Sequence, residues 1–421
     1  MKRVIRYKAL LIISLVIVLG VTIGFLNGSS RATTTPSKNS CLNCHSNAVK
    51  LMGMVKPKEA AGGGCAAPPA KRPPFLDFFV KAKFAESWHG RLGCTYCHGG
   101  NPKAKDKDQA HKGRKEPLLT CASCHQDIVK RQASSIHSTL AGQDCLLKRR
   151  TGKENFEKLA VARKADCNTC HSGCGDCHLT IPKAVGGGLL SGHKFFKTPP
   201  MADTCGVCHG TRAGGEYLAK ISEDLEPDVH QQAGMHCVDC HKEDMHGNGK
   251  EYISRWEVAG LPRCIDCHEA VPNSKSTAHN IPNHQNVSCQ SCHAQAYKNC
   301  YQCHAYVDEK GHYHRAPKES AVLFKIGRNT VESYPYKFTP VRHKPITPDT
   351  FEYFGENIFA HFDERPTWTT AAPHNIQRIT AQNKSCTNCH GNKEIFLLKE
   401  DLTDQDSMAD KEVVLEEAPT M

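Results

Sequence analysis

Apolar residues are spread unevenly along the 421-residue chain. Ala9 to Leu26 is an uncharged apolar run preceded by Lys2, Arg3, Arg6 and Lys8. Eighteen residues in a helix span about 27 Å, the lower edge for crossing a bilayer. A basic flank followed by an apolar run is an export signal with the N-terminus inside. The run exceeds the usual signal-peptide core, and Ser30-Arg31-Ala32 is a weak cleavage site, so the reading favours a retained anchor over residues 1–26. Residues 27–40, rich in Ser and Thr, read as a tether. Beyond them no apolar period is sustained. Gly152 to Lys164 reads as a helix carrying Phe156, Leu159 and Val161, and Ala321–Ile326 with Thr330–Val341 reads as a hairpin around Gly327-Arg328-Asn329. The Gly62 to Pro69 stretch reads as a flexible loop. The end of the chain, residues 396–421, reads as a solvated acidic tail, with eight acidic residues and one Lys from Glu400 onward. The expected fold is mainly α with extensive irregular coil and little sheet.

Composition makes this pattern a problem. Only 39% of residues are hydrophobic and 7% aromatic, and part of that total sits in the N-terminal run, so a core built of side chains alone would be thin. The absence of a Gly period, of heptads and of a second long apolar stretch excludes collagen, coiled coil and a polytopic membrane protein. The 24 cysteines supply the answer. Cys-x-x-Cys-His occurs eleven times: Cys41-Cys44-His45, Cys94-Cys97-His98, Cys121-Cys124-His125, Cys167-Cys170-His171, Cys174-Cys177-His178, Cys205-Cys208-His209, Cys237-Cys240-His241, Cys264-Cys267-His268, Cys289-Cys292-His293, Cys300-Cys303-His304 and Cys386-Cys389-His390. They are called motifs 1 to 11 below. Two thiols at this spacing form thioethers to the vinyl groups of one haem, and the next residue, His, is held against the iron. Zinc half-sites would not require His at the fifth position every time, and an oxidised Cys-x-x-Cys loop is small and strained. The motifs therefore imply eleven covalent haems c, packed as the interior of residues 41–395, with Cys65 and Cys145 left over. On a helical turn the two Cys and the His lie at i, i+3 and i+4, on one face.

Haem changes the charge count. The sequence carries 54 Lys and Arg against 43 Asp and Glu, formally +11. Eleven haems would add about 22 propionates and, when ferric, about eleven positive cores, bringing the sum near zero. The basicity is thus no argument for nucleic acid as a partner.

Fourteen further histidines accompany the eleven in the motifs. His89, His111, His137, His193, His230, His246, His279, His284, His312, His314, His343 and His374 are the candidates for the second axial position on iron, with His236 and His361 the spares. His89 and His284 stand five residues before a Cys-x-x-Cys and His230 seven before, so each can reach a neighbouring haem. A bis-His haem has no open position and passes electrons, whereas an enzyme needs one open haem. Residues 305–385 are haem-free and hold 12 of the 29 aromatics, as a flap over haem faces or as a partner or subunit interface.

Leu92-Gly93-Cys94-Thr95-Tyr96-Cys97-His98-Gly99-Gly100, the tandem from Cys167 to His178, Cys237 to Met245-His246-Gly247, and Pro373-His374-Asn375-Ile376 before Cys386 resemble segments of the multihaem cytochromes c. Within these the chain is similar to the octahaem tetrathionate-reductase-like group, itself akin to hydroxylamine oxidoreductases. The resemblance implies bis-His wiring and, in some members, a lysine-ligated catalytic haem near a cysteine. Here Lys148 near Cys145, or Cys65, would serve the haem of Cys121. An N-terminal anchor followed closely by a haem also resembles membrane-bound quinol-oxidising cytochromes, with the Cys41 haem in that role and Met52 or Met54 as alternative ligands. The expectation is an anchored electron carrier of anaerobic respiration, its haems on the periplasmic side of the cytoplasmic membrane. Electrons would come from quinol or a membrane partner and pass to a redox acceptor protein. The rival is a terminal reductase or oxidase of a small sulfur or nitrogen compound.

Overall fold

The computed structural model describes residues 40–56, 72–165, 168, 172–182, 185–210, 213–242, 245–258, 260–297, 301–307, 313–319, 324–344 and 346–421, with the backbone alone over 301–307 and 313–319. The apolar run from Ala9 to Leu26, the tether up to residue 39, the loop with Cys65, and Cys167, Cys170, His171, Cys300 and His312 lie outside the described residues. Among the described residues no helix is long and apolar enough to cross a membrane.

The described chain is mainly helical with much irregular backbone and little strand. From Ser40 to His293 it consists of one-turn and two-turn helices joined by loops, with one longer exception. Buried apolar side chains are scarce there: outside the longer helix and its continuation they are Leu51, Ala104, Val185 and Leu225. The exception runs Ala141–Lys158 and is broken at Gly152, whose φ of +70° only glycine adopts without strain. A short helix, Ala160–Ala165, continues it. Phe156 and Leu159 are buried as the pattern predicts, but Val161 is 56% exposed. Leu159 packs against Ile358, Phe359 and Phe362. Arg150 fixes the contact by donating to the carbonyls of Phe362 (3.0 Å) and Pro366 (2.6 Å).

The C-terminal part is built differently. Strands β1 (Tyr301–Val307) and β2 (Tyr313–Glu319) pair antiparallel. Strands β3 (Phe324–Arg328), β4 (Phe338–His343) and β5 (Trp368–Thr370) form an antiparallel sheet in that order. The hairpin expected around Gly327-Arg328-Asn329 turns later, because Gly327 and Arg328 stay in β3 opposite Thr339 and Phe338. Gly327 has a packing reason: a Cβ there would stand 2.8 Å from Val341 Cγ2.

The acidic tail corrects the sequence reading. Leu397, Leu398, Val413, Leu415 and Ala418 are buried, packing on Ile326 and Phe396 in one cluster and on Val341 and Trp368 in another. The apolar residues interleaved among the charges form the buried face. Asp410, fully buried, accepts from the amides of Thr367 (3.1 Å) and Trp368 (2.7 Å), so part of the charge count is structural.

Candidate metal and cofactor site

A continuous cavity of about 6260 Å³ runs between the short helices, lined by all nine described motifs. Divided among nine, it offers about 700 Å³ each, within the roughly 300–1,000 Å³ of a site for one cofactor-sized molecule.

Each described motif is a single helical turn. Motifs 2, 5 and 9 are α-helical over Cys94–His98, Cys174–His178 and Cys289–His293, while motifs 3 and 8 fall in 3-10 turns over Pro117–Ser123 and Cys264–Asp266. Three motifs read Cys-x-Asp-Cys-His, and their Asp closes the turn. Asp176, Asp239 and Asp266 accept from the amides of Gly173 (2.8 Å), His236 (2.6 Å) and Arg263 (2.7 Å) three residues upstream. Motif 10 differs, since Cys303 and His304 fall on β1 rather than on a helical turn.

Every described motif His faces a second histidine. The ring centroids are 6.1 Å apart for His45 and His111, 5.8 Å for His98 and His193, and 6.3 Å for His125 and His89. They are 5.9 Å apart for His178 and His246, 6.4 Å for His209 and His137, and 6.4 Å for His241 and His374. For His268 and His230 the distance is 6.0 Å, for His293 and His279 6.2 Å, and for His390 and His284 5.9 Å. Two imidazoles on opposite sides of one metal, each about 2 Å from it, place their ring centres about 6.3 Å apart. The donor set fits one iron per motif. His89, His230 and His284 each pass over the motif that follows them and meet a later one.

The tautomer is set from outside. Nδ1 of His45, His178 and His293 lies 2.9, 2.6 and 3.0 Å from the carbonyls of Phe78, Phe196 and Gln377. Nδ1 of His284 and His374 does the same with Ala278 and Ala372, both at 2.8 Å. Donation from Nδ1 leaves Nε2 as the ligating nitrogen. Burial pushes His193 and His209 down to about 4, helped by neighbouring histidines, and also lowers His374, so these rings are neutral, the form that binds a metal. His193 carries backbone strain, with φ at +69°.

Cysteines of neighbouring described motifs interact, four pairs through a thiol hydrogen bond and four through charge alone. Cys41 meets Cys94, Cys97 meets Cys124, Cys121 meets Cys174 and Cys177 meets Cys205. Cys205 meets Cys237, Cys240 meets Cys267, Cys264 meets Cys289 and Cys292 meets Cys389. The nine described motifs thus form an unbroken line in chain order. Except between motifs 5 and 6, contact alternates between first cysteines and second cysteines. Each turn between the ends of the line is approached at one cysteine and left at the other, except motif 6, where Cys205 meets both neighbours.

Other candidates fall elsewhere. His343 faces none of the nine described motif histidines: its Nε2 lies 2.7 Å from Asp406 and its ring packs on Trp368. His361 pairs with Glu364 at 2.6 Å. Met52 and Met54 are more than half exposed, and the ring facing His45 is His111. Lys148 sits over the Phe156 ring and shares a separate small pocket with Cys145, while the ring facing His125 in motif 3 is His89. Sequence reading missed the buried acids. Glu216 accepts from the His374 amide at 2.7 Å and pairs with Arg342 at 2.6 Å, and Asp228 contacts His230. Burial pushes the Glu216 carboxyl up, but Arg342, the Tyr297 hydroxyl and the His374 amide outweigh it and hold it below the usual range.

The profile of the cytochrome c554 and c-prime family matches residues 248–294, which contain motifs 8 and 9 with His279 and His284. The chain is 24% identical over 278 residues to a multiheme cytochrome MtrA of Shewanella baltica (strain OS185), covering 56% of this chain and 78% of that protein. It is 34% identical over 188 residues to an uncharacterized protein of Archaeoglobus fulgidus, covering 41% of this chain and about half, 52%, of that one. No solved structure matches. Repeated haem-attachment motifs, the paired imidazoles and these likenesses define one class: the chain is a multihaem c-type cytochrome that transfers electrons.

Proposed function

We propose that this protein is a membrane-anchored electron conduit with eleven covalent haems, reaching from a quinol or membrane partner at the motif 1 end to a redox protein at the other. The line of nine His pairs in chain order carries the reading. Bound haem iron supplies a one-electron couple, and the remaining work belongs to the chain. The cysteines would hold each haem through thioethers and so fix the order of the sites, and the paired imidazoles would ligate its iron and keep the couple at low potential. The backbone carbonyls on Nδ1 hold the rings in place, so little rearranges when the charge changes.

The run from Ala9 to Leu26 supports anchoring, and it stands fourteen residues before Cys41, which sets motif 1 nearest the membrane on the extracytoplasmic side. The Shewanella relative is itself described as a multiheme cytochrome, in keeping with redox protein partners. The test has two parts. Haem content against intact mass should give about eleven haems per chain, with fewer than nine contradicting the cavity and pair geometry. Full-length protein in vesicles should remain bound through a salt wash and be reduced by an added quinol. A chain starting after Leu26 should wash off and be reduced slowly; equal behaviour of the two would discard the anchor and the quinol entry.

A further inference from the structure

The imidazole pair of motif 8 differs from its neighbours in what it leans on. At six other imidazoles the group on Nδ1 is neutral. It is a backbone carbonyl for His45, His178, His284, His293 and His374, and the Ser274 hydroxyl at 3.1 Å for His279. At His230, the partner of His268, it is the Asp228 carboxylate, whose Oδ1 lies 2.8 Å from Nδ1. Asp228 is 2% exposed. Its Oδ1 also accepts from the His230 amide at 2.8 Å, and its Oδ2 accepts from the Ile376 amide at 2.7 Å. The carboxylate therefore cannot swing away, and it bridges the His230 turn to the segment bearing His374, the partner imidazole of motif 7.

We propose that Asp228 is a potential-setting residue that makes the motif 8 haem the lowest in potential of the nine described. The inference rests on the reading that His230 and His268 ligate one iron. Two effects act in the same direction. A fixed anion behind the imidazole draws its Nδ1 proton and makes Nε2 a stronger donor, which favours ferric iron. The same anion, held in a poorly screened interior, opposes loss of the ferric positive charge when one electron is added. The second buried acid nearby provides an internal contrast. Glu216 touches the His374 segment, but Arg342 at 2.6 Å compensates its charge, so it positions motif 7 without biasing its couple.

The consequence is a step within the line. An electron passing between motifs 7 and 9 climbs at motif 8, so the described line would fill in two pools, one on each side of motif 8, before the site between them is reduced.

The experiment is a mediated redox titration of the full-length haem-loaded protein, reduced with dithionite and read by visible absorption and EPR. It compares wild type, Asp228→Asn and His230→Met. Replacing His230 with Met raises the potential of whichever haem it ligates. The component it moves should be among the three lowest of the wild-type titration, since two of the eleven haems lie outside the nine compared. Asp228→Asn should raise that same component by tens of millivolts, about a tenfold change in its equilibrium per 59 mV, with haem content and low-spin signals unchanged. A loaded Asp228→Asn protein with every component at the wild-type position overturns the role of Asp228 alone. A component moved by His230→Met that is not among the three lowest overturns it too, and decides the matter if Asp228→Asn does not load haem. If His230→Met alters no low-spin haem, the ligation reading falls with it.

Discussion

Residues 40–293 and residues 324–421 solve the problem of an interior in opposite ways. Apart from the helices around Phe156, the first region buries Leu51, Ala104, Val185 and Leu225, whereas the second buries fourteen apolar side chains in about a hundred residues. The first supplies eight of the nine described motifs that line the large cavity; the second adds motif 11 and His374 to that lining and packs a sheet against the chain end. Burial of apolar surface drives folding in proportion to the area removed from water. The first region must obtain that area from haem, and the second obtains it from its own residues. A thin composition therefore reports where the cofactor is, and the 39% average conceals two different proteins in one chain.

The largest effect that could break this contrast is loss of haem itself. Protein made without haem attachment, or with Cys174 and Cys177 both changed to Ala, should lose protease resistance across residues 72–293 first, while fragments from 324–421 persist longest. Limited proteolysis read by mass spectrometry checks this, and equal protection of both regions would remove the distinction. The converse change should strike only the second region. Leu397→Ala, at a fully buried position, should cost about 2–5 kcal/mol in denaturant unfolding and leave the haem spectrum unaltered.

A smaller effect sharpens the assignment of His343. Hydrogen bonds from His343 and Thr403 to Asp406 overcome burial and hold its carboxyl down at about 2, against an ordinary 3.8. A group depressed on folding stabilises above its unfolded pKa, and that contribution is lost as pH falls through the folded value. Stability should therefore decline between about pH 4 and pH 2, and Asp406→Asn should flatten that part of the acid unfolding curve. His343→Ala should weaken acid stability in the same window without changing axial ligation. A shifted haem band would mark His343 as an iron ligand of a motif outside the nine described. The smallest effect is at Lys148, whose contact with the Phe156 ring is worth about 0.5–1 kcal/mol. Lys148→Ala should cost no more than this and leave all haem signals in place, since His89 faces motif 3.

The first region was largely legible because covalent chemistry writes itself at fixed spacing. Cys, Cys and His at i, i+3 and i+4 identify both cofactor and attachment residues. That His89, His230 and His284 could reach beyond the next motif was also visible, but which histidine meets which motif depends on how loops fold back across many residues. The second region was misread for a local reason. The charges of residues 400–421 suggested solvation, yet Val413 and Leu415 sit between them and are buried, Leu415 in one cluster with Leu398 and Val413 in another with Leu397. The hairpin was found with its turn misplaced, because Gly327 looks like a turn residue but is required by the closeness of Val341. Asp228 gave no signal, since one aspartate in a loop acquires meaning only when His230 and Ile376 converge on it.

If each described motif presents two imidazoles to one iron, EPR of the fully oxidised protein will show it. Low-spin ferric signals are expected for at least nine haems per chain. Near-parallel rings such as His178 with His246, at 10°, should give rhombic spectra, and near-perpendicular ones such as His137 with His209, at 84°, a strongly anisotropic signal at high g. More than two equivalents of high-spin haem per chain would contradict it, because at least one of the nine pairs would then leave an iron position open.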